Sequence, residues 1–216
     1  MKVYLVRHGQ TAGNLVHLYQ NDADTISEKG IKEAKFLAER FRSIPLDLII
    51  PSPYSRAHET AQRTAELKNL PITTNDLLVE KRWPKEIEGK AVSDPSIQEI
   101  RKLIQENEYT NPDWRYSNEE RYVDVRERCI KFLAHAESLA QKHSHVLVVS
   151  HAHILKVMLS VIIHGSKVPA QLFRDIFHAV SLHNTGITVL EYADNKWHLV
   201  TINDHAHLGE YHRQPH

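Results

Sequence analysis

The sequence predicts an α/β fold organised on a parallel sheet, and three observations predict it. Short apolar runs at 2–6, 46–50 and 146–149 are each followed by a segment of helical period. The runs themselves are rich in β-branched residues and too short to be helices, so they read as buried strands. Near the carboxyl terminus, two alternating runs meet at Ala193-Asp194-Asn195, which suits a hairpin turn.

Lys2-Val3-Tyr4-Leu5-Val6 is the first strand, and it ends in Arg7-His8-Gly9-Gln10-Thr11. Gly9 lets the backbone turn where a side chain would clash. Gln10 to Ile26 reads as an irregular polar loop. Ser27 then caps a helix running to about Arg42, with Glu28 in its first turn and Ile31, Ala34, Leu37, Ala38 and Phe41 at helical spacing. Leu46 to Ile50 is the second strand, stopped by Pro51-Ser52-Pro53. A helix from about Tyr54 to Leu67 carries Arg56 in its first turn. Pro71 to Thr74 reads as a weak third strand leading to Leu77-Leu78-Val79-Glu80.

Between Lys81 and Asn118 the pattern loosens around Trp83-Pro84, Gly89, Asp94-Pro95 and Pro112-Asp113-Trp114, with a short helix near Ile97 to Gln105. Long irregular segments are often lids or binding loops, so this one reads as an insertion over one end of the sheet. Ser117-Asn118-Glu119-Glu120 has the form of a capping box. The helix after it places Val125, Cys129, Phe132, Leu133, Ala136 and Leu139 on one face, which makes Cys129 a core residue. Val146 to Val149 is the fourth buried strand, ending in Ser150-His151-Ala152-His153, and an apolar helix covers Ile154 to Ile163. Gly186 to Tyr192 and Lys196 to Thr201 form the hairpin, and the tail from Asn203 is polar and His-rich.

Composition narrows the function classes. Its 216 residues suit one domain over 1–216, with the lid insertion at about 81–118. Lys+Arg and Asp+Glu both number 27, which argues against general binding to nucleic acid or an anionic membrane. A single cysteine cannot form an intramolecular disulfide, which fits a reducing cytoplasm. The first apolar run is cut short by Arg7 and His8, unlike a signal peptide. Polar residues interrupt Val146 to Ile163, as a strand running into a helix would require and a membrane span would not. Oligomeric state is left open.

Each of the four strands leads to a charged or polar group: Arg7 and His8, then Arg56, then Glu80, then His151. With right-handed crossovers, the carboxyl ends of parallel strands lie on one edge. Two imidazoles, two guanidiniums and a carboxylate at one mouth suit a phosphoryl group, because the guanidinium fork matches phosphate oxygens. The helix starts after Arg56 and His151 would add N–H donors.

These residues carry a resemblance. Arg7-His8-Gly9-Gln10-Thr11 with Asn14, Ser52-Pro53-Tyr54-Ser55-Arg56-Ala57, Glu80 with Glu88-Gly89, and Val149-Ser150-His151 resemble the histidine phosphatase superfamily, the phosphoglycerate mutase-like family. The resemblance implies a three-layer α/β/α sandwich, its central sheet mostly parallel with an antiparallel edge. It implies hydrolysis of phosphate monoesters by in-line attack of His8, with Arg7, Arg56 and His151 holding the phosphoryl oxygens and Asn14 touching one of them. Glu80 would protonate the leaving group and then activate water, with Glu86 the alternative. Ala152 stands where the family often has glycine. Positioning and fixed cations can supply this chemistry, so no metal or cofactor is expected. Arg82, with Lys81, Trp83, Lys85 and Arg115, would read a small phosphorylated substrate.

Three other readings compete. A mutase would move phosphate between positions of a small metabolite, and a non-catalytic phospholigand-binding protein would only hold it. His151-Ala152-His153 and Asp204-His205-Ala206-His207 have the look of metal-ligand pairs, but arginines beside His151 would repel a dication.

Overall fold

The computed structural model describes residues 1–111 and 113–213. Pro112 of the irregular segment and the last three residues of the His-rich tail lie outside the described residues. Strands β1 (Lys2–Arg7), β2 (Leu48–Pro51) and β3 (His145–Ser150) run parallel. Strand β4 (Ile187–Ala193) pairs antiparallel with β1 and with β5 (Lys196–Asp204), giving the order β2-β3-β1-β4-β5. Asp194 and Asn195 both have positive φ, 52° and 58°, as a tight hairpin turn between twisted strands demands.

Alternation along β1 divides the core. Val3 and Leu5 join Val146 and Val148 under helices α5 (Tyr122–Leu139), α6 (Ala152–His164) and α7 (Ala170–Ala179). Tyr4 and Val6 join Leu147 and Val149 under α2 (Glu28–Phe41) and α3 (Ser55–Lys68). Helices therefore cover both faces, and the architecture is a three-layer α/β/α sandwich. Each buried aliphatic side chain of β1 contributes about 1.5–3 kcal/mol. A one-residue slip would exchange the two faces, so the register of His8 is fixed by the core beneath it.

Several local expectations are corrected. Pro71 to Thr74 is not a strand: a single bridge joins Ile72 to Ile49, and Asn75 then caps a 3₁₀ turn over Asp76–Leu78. Pro71 has no N–H to extend the pairing. Glu80 accordingly leaves a loop, not a strand end. The capping box at Ser117 to Glu120 does not form. Arg121 is the N-cap of α5, Asp124 accepts its backbone N–H at 2.9 Å, and the Glu120 carboxylate is taken by Arg128. The loop after Gln10 holds a one-turn helix α1 (Ala12–Leu15), capped reciprocally by Thr11 and Asn14. Helix α7 was not legible in the sequence, and the tail continues as 3₁₀ turns over Ala206–Arg213, kinked at Gly209.

The segment from Lys81 to Asn118 contains 3₁₀ turns at Lys85–Ile87 and Pro95–Ile97 and helix α4 (Gln98–Asn107). Backbone bonds Gly89 N–H to Tyr19 O (2.7 Å) and Val92 N–H to His17 O (2.8 Å) tie it to the loop after β1. That tie brings Trp83 and Val92 to the mouth of the sheet. Among the described residues no helix is long and apolar enough to cross a membrane.

Candidate active site

The backbone past β1 and β2 extends the sheet to the residues that matter. His8 N–H donates to Ser150 O at 2.9 Å and Ser52 N–H to Val149 O at 2.8 Å. Gly9 N–H donates to Thr60 Oγ1 at 2.9 Å. A Cβ at Gly9 would lie 2.9 Å from the Gly30 carbonyl, so the glycine is demanded by the close approach of α2.

A cavity of about 600 Å³ opens at this edge, with Arg7, His8, Arg56, Glu80, Asn14 and Asn184 in its wall. His8 is 4 % exposed, and its Nδ1 lies 2.7 Å from its neighbour's carbonyl, Gly9 O. A carbonyl only accepts, so Nδ1 carries the proton and Nε2 keeps a bare lone pair. Burial, then the charges of Arg56 and Arg7, pushes His8 well below the ordinary imidazole value and keeps it neutral.

The two cations are held from behind. Arg7 Nη1 donates to Leu182 O (2.7 Å) and Arg56 Nη1 to Asn21 O (2.6 Å). Both guanidiniums have a buried Nε without a partner, and burial lowers both pKa values while Glu80's charge opposes the shift. His151 occupies the N-cap of α6 with its ring 5.2 Å from that of His8. Its Nε2 lies 2.9 Å from Ser52 Oγ, and its Nδ1 is buried without a partner. Burial, then Arg56 and His8, holds it well below the usual value too.

Glu80 lines the cavity, but the start of α6 does not aim its donors at the anion site as expected. His153 N–H and Ile154 N–H, at 3.1 Å each, and Lys81 N–H, at 3.0 Å, all donate to the Glu80 carboxylate. Three of its roughly four lone-pair sites are filled, leaving one on Oε2. Glu86 is exposed on the 3₁₀ turn Lys85–Ile87 and does not line the cavity. Asn14 reaches the wall while its Oδ1 accepts from Thr11 N–H (3.1 Å) and Asn184 Nδ2 (3.3 Å). Asn184 also donates to His8 O at 2.8 Å. No local period joins it to His8, from which 176 residues separate it.

The expected substrate readers fare differently. Trp83 lines the cavity. Arg82 does not: it is mostly exposed and lies 3.8 Å from Glu120. Lys81 is buried against Glu108 and Glu119, so it anchors the insertion rather than facing solvent. Lys85 is exposed outside the wall, and Arg115 pairs with Asp124 at 2.9 Å. Of the histidines weighed as metal ligands, His205 stacks on His183 at 4.1 Å and His207 Nε2 meets Thr185 Oγ1 at 3.2 Å. Among the described residues no three metal-ligating side chains gather.

Residues 3–205 match the model of the histidine phosphatase superfamily (branch 1). The chain is 30 % identical over 214 residues to a protein of Schizosaccharomyces pombe named a probable phosphatase, covering 96 % of this chain and 95 % of that one. It is 29 % identical over 218 residues to a probable phosphoglycerate mutase of Proteus mirabilis, covering 97 % and 96 %. The crystal structure of a phosphoserine phosphatase from Entamoeba histolytica, in complex with 3-phosphoglyceric acid, superposes with a TM-score of 0.78 at 21 % identity, covering 96 % and 98 %.

Proposed function

The chain belongs to the histidine phosphatase superfamily and is a phosphoric monoester hydrolase of that type; we propose that it works through a phosphohistidine on His8. The observation that carries this reading is the bare Nε2 of His8, held neutral and buried between Arg7 and Arg56.

In this reading His8 Nε2 attacks phosphorus in line as the ester oxygen leaves. Arg7 and Arg56 balance the equatorial oxygens. Ser52 Oγ accepts Tyr54 N–H at 3.3 Å, so its own proton is free for His151 Nε2. In this reading the ring proton of His151 sits on the buried, orphaned Nδ1 and pairs with a phosphoryl oxygen when substrate is bound. Asn14 supplies a further amide contact. Glu80, with its open site on Oε2, is the group placed to pass a proton to the leaving oxygen and then to take one from the water that cleaves the phosphohistidine. The chemistry uses the chain's own cations, so turnover proceeds without a divalent metal and survives EDTA. The buried, unpaired Cys129 agrees with a place in the cytoplasm.

Rapid-quench trapping with a radiolabelled phosphate ester tests the route. The expected product is phosphoprotein that is acid-labile and base-stable. Turnover with no trapped label, or with label on a residue other than His8, overturns it. Glu80→Gln should lose more activity on an alkyl phosphate than on nitrophenyl phosphate, whose leaving group needs little protonation; equal losses would remove Glu80 as the acid.

A further inference from the structure

Beyond the catalytic cleft lies a second chamber of about 620 Å³, and the two share Tyr19, Trp83, Val92 and Phe177 as a common wall. Its far side is also aromatic, with Tyr109 and His153 in the wall. Ring centroids of His153 lie 6.2 Å from Trp83, 5.3 Å from Phe173 and 5.4 Å from Phe177. Such surroundings favour a flat apolar occupant, which can stack or pack edge-on.

One polar atom stands out against these walls. His153 is 7 % exposed, and its Nε2 is buried without a hydrogen-bond partner. Buried polar atoms in native structures are rarely left unpaired, so an orphan in a cavity wall marks a place for a ligand atom. Burial, with Lys81 and Lys156 nearby, keeps the ring neutral, and a neutral imidazole nitrogen can pair with a donor or an acceptor according to tautomer. The chamber wall also carries two arginines. Arg101 donates to Tyr19 Oη (3.1 Å) and Val92 O (2.5 Å), and Arg174 lies 3.9 Å from Asp175. Glu108 lines the chamber as well, so a second anionic group on the substrate would meet a carboxylate there.

We propose that this chamber receives the far end of the leaving alcohol, and that the substrates are monoesters of large, flat, mainly apolar alcohols bearing one heteroatom for His153 Nε2. The inference rests on the hydrolase reading above, with the phosphoryl group at His8 and the alcohol running past Trp83 and Phe177.

The test compares nitrophenyl phosphate, which the cleft alone accommodates, with biphenylyl phosphate and its distal hydroxy derivative. Gln105, an exposed residue of the chamber wall, is replaced by a bulky one. Gln105→Trp should raise the KM of both biphenylyl esters on the order of tenfold, about 1.4 kcal/mol, while nitrophenyl phosphate kinetics stay within about twofold. The hydroxy ester should show the lower KM in the wild type, and the added preference should vanish in His153→Leu. Equal effects of Gln105→Trp on all three esters overturn the proposal. If none of the esters is hydrolysed, the hydrolase reading fails, and the chamber is judged by binding of biphenyldiol. Binding that shifts the His153 imidazole resonances and weakens in Gln105→Trp supports it; resonances that do not move overturn it.

Discussion

Strands β1 and β3 are parallel neighbours, and each runs out into an imidazole at the same edge, yet the two ends are wired in opposite senses. Past β1, His8 Nδ1 meets the Gly9 carbonyl, which can only accept, and Nε2 is left bare. Past β3, His151 Nε2 meets the Ser52 hydroxyl, which accepts the Tyr54 N–H and has its own proton to give, a pairing that favours the ring proton on Nδ1. The first end leaves Nε2 bare, and the second leaves a buried Nδ1 without a partner. The difference teaches that residue type and place in the fold do not set which ring nitrogen of a histidine is left open; the partner of the other nitrogen does. The same cations and the same burial keep both rings neutral, so charge does not distinguish them.

The comparison breaks most sharply under alanine. His8→Ala should abolish both turnover and trapped phosphoprotein, because the nucleophile is gone. His151→Ala should slow turnover by about 10²–10³, the usual cost of one donor to transition-state charge, while phosphoprotein still forms. Label that persists in His8→Ala and vanishes in His151→Ala would reverse the two assignments.

A smaller effect sharpens the account of His151. Ser52→Ala removes the hydroxyl that directs the ring proton to Nδ1, a hydrogen bond worth about 0.5–1.5 kcal/mol, so kcat should fall by about two- to tenfold. His8-dependent labelling should remain. An unchanged kcat in Ser52→Ala would mean that the hydroxyl does not govern the tautomer.

A change of pH acts instead on what the two ends share. Burial lowers the folded-state pKa of His8, His151 and His153 well below the unfolded value near 6.5. As the pH falls through 6.5, the unfolded chain therefore takes up protons before the folded one does. Their contribution to stability is full above that value and is lost in acid. Once the unfolded imidazoles are charged, each group costs about 1.4 kcal/mol per pH unit, about 4 kcal/mol for the three. Denaturant midpoints at constant slope should fall from pH 7 to 5, and more shallowly in His153→Leu. A midpoint flat over that range would contradict the burial of neutral imidazoles.

The cluster of Arg7, His8, Arg56 and His151 was legible because it is built from regular elements. Arg7 ends β1, His8 and His151 each follow a strand by one residue, and Arg56 lies in a first helical turn, where periodicity and β-propensity locate them. The rest was not. Glu80 follows a 3₁₀ turn in place of the expected strand, and Arg82 and Lys81 looked alike in sequence. One turned out exposed beside Glu120 and the other buried against Glu108 and Glu119. Charge alone could not say which would face the cleft, since burial of a lysine depends on carboxylates 27 and 38 residues away. Helix α7 escaped notice, although its Phe177 lines both chambers.

By itself, the sequence determined the sheet, its two apolar faces and the meeting of His8, both arginines and His151 at one edge. Those follow from local patterns, since apolar periodicity sets which side chains are buried and the handedness of crossovers sets which strand ends converge. Only the tertiary structure decided the hydrogen-bond partners of the two imidazoles, the capture of Glu80 by the start of α6, and the aromatic chamber around His153. Each of these depends on a hydrogen bond or ring contact between residues distant in the chain or on the exact turn of a loop, and neither is encoded in a local period.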